Sequence, residues 1–338
     1  MDSAIPQQSE QRSGMGSVAI LAVCQALGMS CMALSITITA LVGKGLAPTP
    51  ALATLPLALQ FVAAAAMTIP ASLLMGRFGR RAGFTLGSLL GIAGGAVSCL
   101  AVFLADFWLF CLGAAFLGGF GTHIALYRFA AADVAGAAYR SRAISYVMVG
   151  GVASAVLGPE LAKWTKDLFT PIEFAGGYAG VALLAFLTLV LVQFAALPKP
   201  LARQERSRGR PLGEIVRQPA LMVAVLSAMV AYGSMNLIMV STPLAMVACA
   251  HPFATAAFVI QWHIVGMYAP SFVTGHIIHR VGALPVIAVG GLLILACVAV
   301  NQTGVEVLQF WGALLLLGVG WNFMFVGGTT LLTETYRP

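Results

Sequence analysis

Ten apolar runs divide the chain, and short polar or basic turns separate them. They fall at 17 to 43, 51 to 75, 84 to 105, 107 to 132, 143 to 163, 176 to 197, 218 to 246, 253 to 278, 284 to 301 and 307 to 332. A bilayer core about 30 Å thick is crossed by about 20 helical residues. The pattern therefore predicts an all-α integral membrane protein with ten transmembrane helices. The first run is too long for the roughly 7 to 15 apolar residues of a signal-peptide core, so it is read as a retained first span.

The basic residues between the runs set an orientation. With a cytoplasmic N-terminus, the inner segments hold Arg12, Arg77, Arg80, Arg81, Arg140, Arg142, Arg280 and Arg337, and six more Lys and Arg lie between 198 and 217. The outer segments hold Lys44, Lys163 and Lys166. This asymmetry fits the positive-inside rule and predicts a multi-pass protein of a bacterial inner (plasma) membrane with its N-terminus in the cytoplasm. The segment 1 to 16 is then a polar cytoplasmic tail, and 198 to 217 a basic cytoplasmic linker that meets anionic headgroups or serves a regulatory partner.

The linker separates two related halves. Ser72-Leu-Leu-Met-Gly76-Arg77-Phe-Gly79-Arg80-Arg81 in the first is matched 203 positions later by Gly275-His-Ile-Ile-His279-Arg280-Val-Gly282. Gly28 pairs with Gly233 at an offset of 205, and Gly119-Phe-Gly121-Thr-His123 with Gly318-Val-Gly320-Trp321-Asn322 at 199. Two pseudo-symmetric helical bundles follow, 17 to 197 with six spans and 218 to 338 with four, as in transporters built from parallel repeats. Six plus four implies a chain two spans short of six plus six.

Composition narrows the function. The chain of 338 residues is 60% hydrophobic and 9% charged, against roughly a quarter charged in soluble domains. Its net charge of +7 resides in loops rather than on one basic face, so no nucleic-acid partner is expected. The six cysteines lie in or beside apolar runs without a Cys-x-x-Cys pair, which points to buried small hydrophobes and to no metal. No phosphate-cradling Gly-x-x-x-x-Gly-Lys-Ser/Thr loop is present, nor any cofactor motif. The eleven acids are too scattered for the carboxylate pairs of a membrane-embedded enzyme, so an enzyme is not expected.

The turn at Arg77, Gly79, Arg80 and Arg81 resembles the Gly-x-x-x-Asp-Arg-x-Gly-Arg-Arg signature of the major facilitator superfamily, and the weaker second copy at Arg280 and Gly282 is similar to that family's. The resemblance covers the chain from the first span onward. It implies a secondary active transporter of a small organic solute, working by alternating access as a monomer in the lipid bilayer, with the substrate held where the halves meet. The family's acid is Gly76 here and its leading glycine Ser72. Asp133 and Glu334 are the candidates to supply the missing carboxylates to Arg77, Arg80 or Arg280, or are solvated at the interface. Gly150, Gly151, Gly158 and Pro159 resemble the element found in the family's drug/proton antiporters, which tilts the expectation toward efflux. A non-transporting or regulatory truncated membrane protein is the alternative.

Ionisable groups at mid-membrane depth are functional candidates by default. His123 and His263 lie within about 5 Å of their span centres at 1.5 Å per residue. Each is read as a proton carrier or as a neutral imidazole bonded between helices. Arg128, roughly 13 Å below the centre of its span, is a further proton-coupling candidate or a snorkelling side chain. Glu160 exchanges protons or pairs with Lys163. In the family the first and fourth spans of each half line the cavity, which makes Gln25, His123, Tyr232, Asn236, Trp321 and Asn322 substrate candidates, together with His263. Gly83, Gly87, Gly91 and Gly95 predict a flat helix face for close packing.

Overall fold

The computed structural model describes residues 4–197 and 212–334. Of the residues singled out above, most of the linker and Arg337 lie outside these, as do the side chains of Arg12, Arg140, Arg142 and Glu334. All of the described regular structure is helical: α1 Ala4–Leu46, α2 Leu55–Phe78, α3 Arg80–Leu104, α4 Phe107–Ala125, α5 Tyr127–Thr165, α6 Ala175–Phe194, α7 Leu212–Val216, α8 Pro219–Ala248, α9 Phe253–Tyr268, α10 Ser271–Val281, α11 Ala283–Asn301 and α12 Val307–Glu334, with one short 3-10 turn at Pro50–Leu52. Among the described residues nine stretches are long and apolar enough to cross a membrane. The run expected at 143 to 163 lies in α5, where several side chains are outside the described set. Large apolar side chains such as Ile69, Trp108, Phe194, Leu237 and Leu308 are more than 60% exposed, as befits surfaces that face lipid rather than water.

The chain divides into two compact units, 1–201 and 202–338. In unit 1, α1 packs along α5 and α6, α3 lies between α4 and α6, and α2 rests on α4. In unit 2, α12 is central and meets α8, α9 and α11.

The helix ends follow local chemistry. Pro56 and Pro219 sit in the first turns of α2 and α8, where a missing N–H costs nothing. Asp106 accepts from the Leu109 N–H at 2.9 Å and caps α4. Gly79 ends α2 and begins α3 with φ 89° and ψ 163°. Gly282 does the same between α10 and α11 with φ 87° and ψ 165°.

Close packing in unit 1 relies on the α3 glycines. A Cβ on Gly91 would lie 2.7 Å from the Phe120 ring of α4 and 2.9 Å from Ala185 of α6, and one on Gly95 would lie 2.6 Å from the Ala182 nitrogen. Gly87 abuts His123, and Gly83 abuts Met75. A buried polar chain ties three spans together. Ser35 donates to Gln60 Oε1 at 3.1 Å, Thr39 lies 3.1 Å from Ser35, and the Tyr178 hydroxyl lies 2.8 Å from Thr39. Because the amide oxygen only accepts, the donations run from Tyr178 through Thr39 and Ser35 to Gln60.

One span differs from the expected pattern. The fourth and fifth do not: helical structure continues from Tyr127 to Thr165 in α5, but it carries the end of the fourth span and the whole of the fifth. Ile124 meets α1 at Gly28, while Gly150 meets it at Ala22 and Ala26. A straight helix from 124 to 150 would separate these points by about 39 Å at 1.5 Å per residue, so the chain reverses between them. The eighth run, expected as one helix, is two, α9 and α10, broken at Ala269 and Pro270. Proline has no N–H and its ring excludes the carbonyl one turn back.

Candidate functional site

The basic turn of unit 1 is held by charge pairing. Arg80 Nη2 and Nε approach Asp133 Oδ2 at 2.6 and 3.0 Å, so the carboxylate at the end of the fourth span does stand beside the turn. Arg81 donates to the Ala195 carbonyl at 2.8 Å and ties the turn to the end of α6. Arg77 lies over the Phe78 ring at 5.2 Å. Gly76, at the position of the signature acid, is exposed, with no heavy atom within 4 Å of a Cβ placed there. In unit 2, Arg280 is exposed in the last turn of α10.

Both mid-span histidines are fully buried. His263 Nδ1 lies 2.8 Å from the Leu314 carbonyl of α12, and His123 Nδ1 lies 2.8 Å from the Gly119 carbonyl one turn back. A carbonyl only accepts, so the proton sits on Nδ1 in each ring. Each Nε2 is enclosed without a protein partner. A buried N–H there would lack an acceptor, so the neutral ring fits both sites. Gly318 packs on the carbonyl of His263, and Gly118 on that of Gln60, its repeat counterpart.

Glu160 and Lys163 form an ion pair at 2.5 Å, each side chain one-quarter exposed. Arg128, in the first turn of α5, places its guanidinium 4.9 Å from the Phe129 ring centre. Gln25 is buried in α1, its Oε1 without a protein partner. Asn236 is half-buried on α8.

Unit 2 carries an aromatic cluster. Trp321 stacks on Phe325 at 4.7 Å and 14°, and Tyr232 stands edge-on to both at 5.3 and 5.5 Å. Tyr268 meets Trp321 at 6.2 Å. Trp321 is 3% exposed and its Nε1 has no protein partner, while Tyr232 is 41% exposed. Sequence reasoning named Tyr232 and Trp321 but missed Phe325 and Tyr268. Phe325 was legible as the i+4 neighbour of Trp321 on a helix; Tyr268 reaches the cluster through tertiary packing.

Asn322 turns away from the cluster into the broken span. Its Nδ2 donates to the Met267 carbonyl at 2.7 Å and to Ser271 Oγ at 2.6 Å, and its Oδ1 accepts from Thr274 Oγ1 at 2.7 Å. It is 1% exposed.

The model of the Major Facilitator Superfamily matches residues 18–338. The chain belongs to the Major Facilitator Superfamily. It is 40% identical to the riboflavin transporter RfnT of Brucella anthropi over 325 residues, 95% of this chain and 81% of that protein. A transporter-type protein of this superfamily from Bacillus subtilis, YdeG, is 29% identical over 94% of this chain and 77% of its own length. Among solved structures, the nucleoside transporter NupG superposes with a TM-score of 0.67 at 12% identity, covering 95% and 83% of the two chains. A D-xylose–proton symporter superposes at 0.60 and 14% identity, covering 96% and 88%. At such identities these structures share the fold, that of a multi-pass helical transporter.

Membership in the superfamily accounts for the paired basic turns and for the small residues between spans. Gly150 and Gly158, taken above as a pointer to efflux, pack directly on α1 at Ala22, Ala26, Ser30, Ala33 and Leu34. The cysteines divide more than expected: Cys249 is exposed at the end of α8 rather than buried, because the helix stops there. Its neighbour His251 is committed to the Val305 carbonyl at 2.7 Å.

Proposed function

We propose that this chain carries riboflavin, or a flavin with the same neutral tricyclic ring, across the cytoplasmic membrane by alternating access, with its basic turns toward the cytoplasm. The observation that carries this reading is the 40% identity to the riboflavin transporter over 95% of the chain. The aromatic cluster supports it. A flat neutral ring is held by stacking, worth about 0.5–1.5 kcal/mol per aromatic pair beyond area burial, and needs no buried counter-charge. Tyr232, 41% exposed, and the half-buried Phe325 offer such a surface in unit 2, with the buried Trp321 stacked against Phe325.

Transport is read as proton-driven, with Glu160 as the exchanging group. Its carboxylate is one-quarter exposed and its partner is a single lysine on the same helix, so it can trade the ion pair for a proton. The histidines have committed Nδ1 atoms and enclosed Nε2 atoms and are read as helix-packing groups.

The test is riboflavin entry, followed by its own fluorescence, in cells that cannot make riboflavin and lack an importer of their own. Growth and accumulation on expressing the chain, competition by other flavins and collapse on adding a protonophore are expected. No accumulation in either direction, measured also by efflux from preloaded vesicles, would sink the flavin reading. Accumulation that survives the protonophore and Glu160→Gln would sink the proton reading alone.

A further inference from the structure

The broken span of unit 2 has a keeper. In an unbroken helix the Met267 carbonyl would accept from the N–H of residue 271, and the Gly266 carbonyl from that of residue 270. Pro270 has no N–H and ends α9. The backbone resumes with Val273 and Thr274 both donating to the Pro270 carbonyl. Freed carbonyls in a span need another donor, because lipid offers none. Asn322 of α12 supplies it. Its amide satisfies Met267, at the end of α9, and in the same plane binds Ser271 and Thr274 in the first turn of α10. The Met267 carbonyl also fixes which way the amide faces, since only the nitrogen can bond there.

We propose that Asn322 is a positioning residue that holds the two halves of this span at a fixed hinge, so that α10 and its Arg280 turn move with α12 about the break at Pro270.

The neighbouring residue on α12 is Trp321, the centre of the aromatic cluster. Successive residues on a helix point about 100° apart, so one turn of α12 presents a stacking surface to one side and the hinge clamp to another. A ligand that shifts α12 at Trp321 shifts the clamp with it. The repeat makes the specialisation visible. By their contacts Gly118 and Gln60 take the places of Gly318 and His263, so Thr122 takes that of Asn322. It too reaches the neighbouring span, donating to the Ala64 carbonyl at 2.7 Å, but α2 remains one helix from Leu55 to Phe78 with Pro70 inside it. The hinge belongs to unit 2.

The link from clamp to gate rests on the transport reading above, so the experiment has one arm that needs no substrate. Asn322→Ala, Pro270→Ala and the double variant are compared with the wild type by hydrogen exchange of the 271–281 amides and by riboflavin flux. Asn322→Ala should raise exchange in α10 roughly tenfold or more, the factor expected for lost buried hydrogen bonds. Pro270→Ala restores the missing donor and lets the helix close, so the double variant should return exchange to near wild type. Its maximal flux should stay roughly tenfold down with KM little changed, because a continuous helix folds but does not hinge. Unchanged exchange in Asn322→Ala, or full maximal flux in the double variant, overturns the proposal. If Asn322→Ala fails to fold, rescue of folding by Pro270→Ala supports the clamp, and failure of the double variant where Pro270→Ala alone folds overturns it. If the wild type moves no riboflavin, the flavin reading falls, while the hinge is still decided by the exchange arm.

Discussion

Gly79 and Gly282 adopt one backbone conformation, with φ near 88° in both and ψ of 163° and 165°. They lie 203 positions apart. Each joins two helices with no intervening loop, and side chains avoid this region of φ and ψ almost entirely. This explains the glycine of the repeated Arg-x-Gly frame as a backbone requirement rather than a contact. Gly79→Ala and Gly282→Ala should each destabilise their own unit by about 1–3 kcal/mol, read as a lower thermal midpoint of the purified protein. A midpoint unchanged in both variants would show that the helix junctions relax freely.

Arg80 and Asp133 are partly exposed, 26% and 46%, so their pair should contribute only about 0.2–1 kcal/mol to stability. Asp133→Asn should therefore leave expression intact while impairing transport through a loosened gate. The charge swap Arg80→Asp with Asp133→Arg should recover part of the loss. Gly76→Asp should fold normally, since the site is open. Transport in Asp133→Asn that matches wild type across membrane potentials would remove this pair from gating.

The α3 glycines should not be equivalent. Overpacking costs about 1–3 kcal/mol, and the cost rises where the neighbour cannot move. Gly95 faces the backbone of α6, whereas Gly83 faces the flexible side chain of Met75. Gly95→Ala should lower the midpoint more than Gly83→Ala, with Gly91→Leu abolishing stable expression. The reverse order would mean that α6 shifts more easily than a methionine.

If the aromatic cluster receives a flavin ring, Trp321→Leu should raise KM for riboflavin roughly two- to thirteenfold, the factor that about 0.5–1.5 kcal/mol of aromatic contact represents. Trp321→Phe should recover most of it. Quenching of the protein's tryptophan fluorescence by added riboflavin should fall in the same variants. Equal KM for Leu and Phe at this position would place the ligand elsewhere.

The spans were legible because lipid demands long apolar helices, and the repeat because its glycines and arginines recur at nearly constant offsets. The break at Pro270 was not. Mean hydropathy is blind to a missing N–H, and Pro70, Pro159 and Pro243 lie inside helices that continue through them. Asn322 was read as facing the substrate because it sits in a lining span, but side-chain direction depends on the phase of the helix, which a uniformly apolar run does not reveal. Tyr268 was lost because only tertiary packing brings it to Trp321, whereas Phe325 stood at the readable i+4 spacing. The polar chain of Ser35, Thr39, Gln60 and Tyr178 was not read at all, since nothing in the sequence ties the first span to Gln60 or Tyr178.

That chain of hydroxyls has a consequence for inheritance. Two apolar helices in lipid that slip past each other by one residue exchange one apolar neighbour for another and lose little. A slip of about 1.5 Å would, however, carry Tyr178, Thr39, Ser35 and Gln60 out of reach of partners now 2.8–3.1 Å away. The first, second and sixth spans therefore form a keyed set. Chimeras between relatives should assemble when those four residues travel together, and should misalign when a crossover separates them.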